Sequence, residues 1–236
     1  MSEPNNEIYR RSPWVVSDFS SWQHVVDELQ LEPRALKKAT VLYDQGESPG
    51  TVFLIESGRV KLSVTSEKGN EKCIFVLGAG CVLGDIALLG GDITRTSAIT
   101  ASSVVLYEIP GKDLMERLET DLALNQAIIR SLLKKINLLT GQMELTCLHD
   151  SSYRVIENIY HMIGQFGKQD ESGGILIETK ITHQEMANLV GATRVTVNNI
   201  FLKMEREGLI EKRKNRLYVK DIKRLEEQIR EASILT

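Results

Sequence analysis

The chain has 236 residues, a formal net charge of −3, and the apolar and charged fractions of an ordinary soluble globular protein. That length gives one large or two modest domains room for buried cores. No apolar run is long enough to span a bilayer, and Met1 to Ser12 is polar with no hydrophobic signal core, so a cytoplasmic protein with no membrane partner is expected. The three cysteines, Cys73, Cys81 and Cys147, are odd in number and scattered, with no Cys-x-x-Cys pair. They offer neither a disulfide framework nor a zinc or iron–sulfur site. They read as small buried hydrophobes, with a redox-sensing thiol as the alternative. Charge is unevenly placed: residues 1–150 hold 15 basic and 20 acidic side chains, and residues 151–236 hold 14 and 12. The C-terminal excess is small, but Lys212, Arg213, Lys214 and Arg216 cluster within it.

In chain order, a polar lead gives way to a short helical stretch with Trp22, Val25, Val26 and Leu29. Trp14, Phe19 and Trp22 are candidates for packing on the next domain. From about Ala39 to Ile109 the pattern is β-rich. The runs are Thr40 to Tyr43, Val52 to Ile55, Val60 to Val64, Cys73 to Leu77 and Val104 to Tyr107, punctuated by glycines. Lys68-Gly69-Asn70 is a hairpin turn signal. Many short strands at near-regular spacing predict a barrel or jelly roll.

From about Lys112 to Leu148 the period becomes helical. Leu122, Asn125, Ile129, Leu132, Ile136, Leu139, Met143 and Thr146 step by threes and fours, as in a coiled-coil seam. Leu124, Ile128, Leu133 and Leu138 lie off that seam and are expected to cover the barrel. A helix apolar on two sides fits one side on the barrel and the other on a twin chain, giving a homodimer through the long helix. A single buried helix in a monomer is the alternative. The C-terminal part reads as three helical segments and a small β-hairpin, including Arg154 to Phe166 and a final helix over Asp221 to Ser233. The resulting division is residues 1–111, 112–149 and 150–236.

The most informative stretch is Thr182 to Gly208. Thr182 and Glu185 form a capping-box pattern, Gly191 suits a tight turn, and Thr193 can cap a second helix. Met186, Leu189 and Val190, then Val197, Ile200, Phe201 and Met204, supply an inner face. Arg194, Val195, Thr196, Asn198 and Asn199 then fall near the start of the second helix, mostly outward, where a recognition helix meets base edges. Arginine pairs with guanine and asparagine with adenine, while Thr193 and Thr196 suit phosphate. Two short strands follow, Leu209 to Glu211 and Leu217 to Val219. The basic tip between them, including Arg213 and Lys214, forms a wing suited to the DNA backbone. Expected partners are double-stranded DNA with a roughly palindromic site, its half-sites about one turn (~34 Å) apart, and RNA polymerase if the protein activates.

The segment ITHQEMANLVGATRVTVNNIFLKMEREGLIEKR resembles the DNA-binding signature of the bacterial superfamily of the cyclic AMP receptor protein and the fumarate–nitrate reductase regulator. The resemblance spans about Ala39 to Val219. It implies an α+β chain: a cyclic-nucleotide-binding-type β-roll, a long dimerisation helix and a C-terminal winged helix-turn-helix. The family's ligand turn matches Gly84-Asp85-Ile86-Ala87-Leu88, and its later Arg-Ser/Thr pair matches Arg95-Thr96. Arg95 suits an anion by fork geometry, and Thr96 offers a hydroxyl. Asp85, one methylene shorter than the family's Glu, could accept from a ribose hydroxyl. Leu139 and Thr140 stand where the cyclic AMP receptor protein has a Thr-Ser pair that contacts adenine. His183 stands at a phosphate-binding Arg position, Val195 replaces a Glu, and Asn199 replaces a base-reading Arg, so the half-site is expected to differ.

The resemblance implies an effector, either a cyclic nucleotide such as cyclic AMP or another small molecule such as a carboxylate or phenolic compound. A pocket serving only structure is the remaining possibility. Four cysteines for an iron–sulfur sensor are not present, and no pair of histidines sets up a haem. The leading function is an effector-responsive transcription regulator. The alternative is a ligand-binding module acting on a protein partner. No Ser/His/Asp, metal or P-loop constellation suggests an enzyme.

Overall fold

In strand β4 (Thr51–Ser57), Val52, Phe53, Leu54 and Ile55 are all buried, with none of the in–out alternation of a half-solvated strand. The cause is a helix layer over one face of its sheet and a second sheet over the other. The computed structural model describes residues 12–234, and the polar lead before them lies outside the described residues. Within these, the chain divides into a unit over Pro13–Leu138 and a second from Leu139 onward.

The first unit is a β-roll of two sheets. One joins β1 (Trp14–Val15), β6 (Glu71–Leu77), β5 (Val60–Thr65), β8 (Ser97–Thr100) and β3 (Val41–Tyr43) in that order. The other joins β2 (Arg34–Leu36), β9 (Val104–Pro110), β4 and β7 (Val82–Leu83). Phe53, Ile55, Leu83, Val104 and Leu106 face Tyr43, Val60, Leu62, Phe75, Leu77 and Ala98 in one core. On the other side of β4, Val52 and Leu54 join Val82, Tyr107 and Ile109 in a second core. Its helix side comes from Trp22, from Val25 and Val26 on α1 (Gln23–Glu28), and from Leu114 on α3 (Gly111–Leu118). Trp22 and Phe19 thus pack on the roll, and Trp14 pairs with Val76 across the β1–β6 ladder. The hairpin predicted at Lys68-Gly69-Asn70 joins β5 to β6, with Ser66 and Asn70 bonded across it.

The long helix is α4, Leu122–Leu148. It is separate from α3 because Asp121 caps it: the Leu124 N–H donates to Asp121 Oδ1 at 2.9 Å. Leu124, Ile128 and Leu138 are buried on the roll as expected. The register differs from the sequence reading by one residue: Leu132 packs against the core, while Leu133 is 54% exposed. At 100° per residue Leu133 lies on the side of α4 opposite Leu124, while Leu132 lies on the flank of the face that Leu124 and Ile128 bury. Leu122, Ile129, Ile136, Leu139 and Met143 are all exposed.

In the second unit, α5 (Ser151–Phe166), α6 (His183–Val190), α7 (Arg194–Arg206) and α8 (Ile222–Ile234) accompany a four-stranded sheet. Its order is β10 (Gly167–Gln169), β11 (Ile175–Ile177), β13 (Arg216–Val219) and β12 (Ile210–Arg213). The sequence reading found only the β12–β13 hairpin. The other two strands are three residues each, and Gly167–Gln169 is exposed and polar throughout. Nothing local marks such a strand; its partners do.

Candidate effector cleft and nucleic-acid interface

The cleft lies in the roll, where β7 runs into α2 (Asp85–Gly90). Gly84 makes the turn with φ 88° and ψ −17°, left-handed backbone that an L side chain enters only with strain. A Cβ there would also stand 2.6 Å from the carbonyl oxygen of Thr51. All six residues expected at this end of the roll, Gly84, Asp85, Ile86, Ala87, Arg95 and Thr96, line one cleft. The cleft has an empty volume of about 470 Å³, solvent at its mouth included. Tyr43, Leu62, Phe75, Leu83 and Ile93 make much of its wall apolar.

Arg95 stands at the mouth with its side chain 81% exposed, paired among the described residues with Asp92 at 3.3 Å. Such an exposed pair contributes little, so the guanidinium is available to an anion. The loop beneath it is fixed, because the Thr94 hydroxyl donates to the Asp44 carbonyl at 2.9 Å. Thr96 is bonded to the Tyr43 phenol, which also meets the backbone of Gly84. Burial pushes that phenol above its ordinary value, and the nearby charge of Asp85 adds to the shift.

Asp85 departs from the expected role. Its carboxylate is buried and already engaged by an ion pair. Lys135 of α4 donates to Asp85 Oδ1 and Oδ2, each at 2.7 Å, and to the Val82 carbonyl at 3.0 Å. Lys135 also lines the cleft and is the residue sequence reasoning missed. Its signal was present: Lys135 falls seven residues after Ile128 and three before Leu138, on the apolar face of α4. A charge in such a face needs a buried partner. Thr140 lies on α4 beyond the residues of this unit and is exposed.

In the second unit the helix-turn-helix is built as its sequence indicates. The Glu185 N–H donates to Thr182 Oγ1 at 3.1 Å, and the Thr182 N–H donates to Glu185 Oε2 at 2.7 Å, completing the capping box. Gly191 ends α6 in the left-handed region at φ 66°. The Thr196 N–H donates to Thr193 Oγ1, which starts α7. Val197, Ile200, Phe201 and Met204 are buried. Arg194, Val195 and Asn199 are therefore exposed, with Thr196 and Asn198 half-buried beside them. His183, at the first position of α6, stacks on Phe201 with ring centroids 4.9 Å apart.

The wing is tighter than the sequence suggested. The first strand runs two residues further, to Arg213, and the second begins one residue earlier, at Arg216, leaving a two-residue turn. Lys214 and Asn215 occupy it at φ 46° and 63°, the left-handed pair that a two-residue hairpin requires. Lys214 projects from the tip, exposed. Arg213 is held back: it pairs with Glu211, reaches Asp170 at 3.3 Å, and lies 3.3 Å above the Tyr218 ring. The Glu211 hydrogen bond is the main reason its guanidinium is raised above its ordinary value.

Of the cysteines, Cys73 and Cys81 are buried and Cys147 is exposed. Burial pushes the Cys73 thiol up to about 12. Among the described residues no helix is long and apolar enough to cross a membrane, and no metal-ligating cluster occurs.

A ligand-cleft roll and a winged helix on one chain define a small-molecule-responsive DNA-binding regulator. The family of cyclic nucleotide-binding domains matches residues 33–121, and that of Crp-like helix-turn-helix domains matches residues 153–228. A "CRP-like cAMP-activated global transcriptional regulator" of Mycobacterium tuberculosis is 23% identical over 201 residues, 85% of this chain and 89% of that one. A "Global nitrogen regulator" of Synechococcus elongatus is 28% identical over 195 residues, 81% of this chain and 87% of that one. Among solved structures, the c-di-GMP-responsive global regulator CLP of Xanthomonas campestris superposes with a TM-score of 0.76 at 20% identity. That match covers 86% of this chain and all of the other. The chain belongs to the superfamily of the cyclic AMP receptor protein and the fumarate–nitrate reductase regulator, and it is an effector-responsive transcription regulator.

Proposed function

We propose that the chain works as a homodimer whose affinity for a roughly palindromic DNA site is set by a small organic anion in the β-roll cleft. The observation that carries this reading is the convergence of Arg95, Thr96 and the Gly84 turn on one largely apolar cleft. Arg95 supplies the charge for the anion, and the wall of Leu62, Phe75, Ile86 and Ile93 accepts an apolar body. Cyclic nucleotides fit this class, as do aromatic or aliphatic carboxylates. An effector changes DNA affinity only by binding one arrangement of the dimer more tightly than another.

The dimer seam in this reading is the exposed apolar side of α4, around Ile129, Leu133 and Ile136. Base contacts come from Arg194, Val195, Asn198 and Asn199. Phosphate contacts come from His183, Thr193, Thr196, Lys214 and, once freed from Glu211, Arg213. RNA polymerase is a partner if the protein activates, and the cytoplasm is its place of work.

Calorimetric titration with cyclic AMP, beside an Arg95→Ala variant, tests the cleft. Micromolar binding that is lost in the variant supports it and identifies a cyclic nucleotide. Silence toward cyclic AMP moves the titration to a panel of organic carboxylates. Binding that is indifferent to Arg95 contradicts the assignment of the cleft.

A further inference from the structure

The face of α4 that rests on the roll is apolar at Leu124, Ile128 and Leu138, and all three are buried. Lys135 interrupts it, with a side chain only 5% exposed against 1% for Asp85. Taking both charges out of water is costly, and a well-packed apolar pair of similar volume would hold the same elements together at least as well. What the ion pair adds is geometry. An ammonium has three protons, and all three have acceptors here: both carboxylate oxygens of Asp85 and the Val82 carbonyl. These acceptors belong to the first residue of α2 and to β7, on either side of the Gly84 turn. A leucine at 135 would fill space; this lysine also fixes one direction and one distance.

We infer that Lys135 is a positioning residue, a bolt by which α4 holds the cleft turn Val82–Asp85 in place, so that turn and helix move as one body. This rests on the reading of the cleft as the effector site, because only then does the bolt carry information. Asp85 and Lys135 both line the cleft, so a molecule entering it meets the bolt directly. A ligand that strengthens or loosens the pair changes how firmly α4 is held. A saturated Lys135 offers a ligand no spare proton. The carboxylate of Asp85 still has lone pairs to spare, and a ligand donor would engage the bolt through them.

The test needs no ligand and uses the full chain. Backbone hydrogen exchange is followed in residues 82–90 and 128–138 of the parent, Lys135→Met, Asp85→Asn and the double variant. Lys135→Met keeps the length of the side chain but leaves Asp85 buried and unpaired. Exchange is expected to rise roughly tenfold or more in both segments together. Adding Asp85→Asn is expected to reverse much of the rise, because the uncompensated charge is gone.

A role in packing alone would not respond to pH, so the pH profile is the decisive readout. In Lys135→Met the unpaired carboxylate resists ionising in the closed form, so opening is expected to increase as pH rises from 5 to 8. The parent and the double variant are expected to lack that slope. Of the other groups around Asp85, Tyr43 and Cys81 are shifted upward by burial, away from this window, and the guanidinium of Arg95 stands exposed at the cleft mouth beside Asp92. Exchange that rises in only one segment, or a slope that survives in the double variant, overturns the inference. An effector that proves to bind elsewhere would sink the cleft assignment and leave this exchange result standing.

Discussion

Replacing Gly84 by alanine probes the turn on which the cleft depends. Two costs add. Left-handed backbone costs an L residue about 1–2 kcal/mol. The new Cβ also falls 2.6 Å from the Thr51 carbonyl oxygen, which is backbone of β4. Relieving that overlap displaces a strand paired on both edges and costs roughly another 1–3 kcal/mol, as overpacking does. Loss of glycine's freedom in the unfolded chain returns about 0.4–1 kcal/mol. The net expectation is a destabilisation of about 1–5 kcal/mol. Gly91 is the control, because it has φ 65° and nothing within 4 Å of its Cβ position. Gly91→Ala should therefore show the backbone cost alone. Urea denaturation followed by tryptophan fluorescence reads the correct unit, since Trp14 and Trp22 both lie in the roll. If Gly84→Ala and Gly91→Ala cost the same, the close approach of the turn to β4 is refuted.

At the DNA interface, Arg194→Ala and Asn199→Ala are each expected to weaken specific binding by about 1–3 kcal/mol and relax preference at one base pair, read by selection from randomised duplexes. Lys214→Ala is expected to weaken all duplexes alike and to lower the slope of log affinity against log salt by about one. Ile136→Glu should turn the dimer into a folded monomer in sedimentation, because it places a charge in the exposed apolar side of α4. Asp121 should make the start of α4 sensitive to acid. The Leu124 N–H, and then His24, hold its carboxyl below the ordinary range, while burial opposes them. Since the folded value is depressed, this stabilisation is present above the ordinary carboxylate range and is lost as pH falls through the folded value. Asp121→Asn should flatten that limb of a stability–pH curve.

The parts legible in the sequence were those written locally. The capping box at Thr182 and Glu185, the turn at Gly191 and the cap at Thr193 are fixed by residues three apart, so pattern alone placed the recognition helix. The main strands of the roll showed as β-branched runs. Lys135 marks itself as a charge on an apolar helix face, but its partner did not show, because Asp85 is 50 residues away and nothing in either segment points to the other. Strands of two or three residues, such as β7 and β10, have no pattern of their own and exist through their partners. Arg213 read as a free phosphate contact because the pairing of the hairpin, which sets it beside Glu211 and Tyr218, and the distant Asp170 do not show in a run of basic residues. Leu132 and Leu133 exchanged roles because Leu133 was grouped with Leu124 and Ile128 although the helical period places it on the opposite side of α4.

The central claim is that this chain reads DNA through α7 under control of the cleft. The most direct measurement is selection of duplexes from a randomised library by the purified protein, with and without the anion that binds at Arg95. Recovery of a two-fold-related motif, lost in Arg194→Ala and changed in affinity by the anion only while Arg95 is present, is the expected result. Enrichment of no sequence under any effector condition would contradict the account.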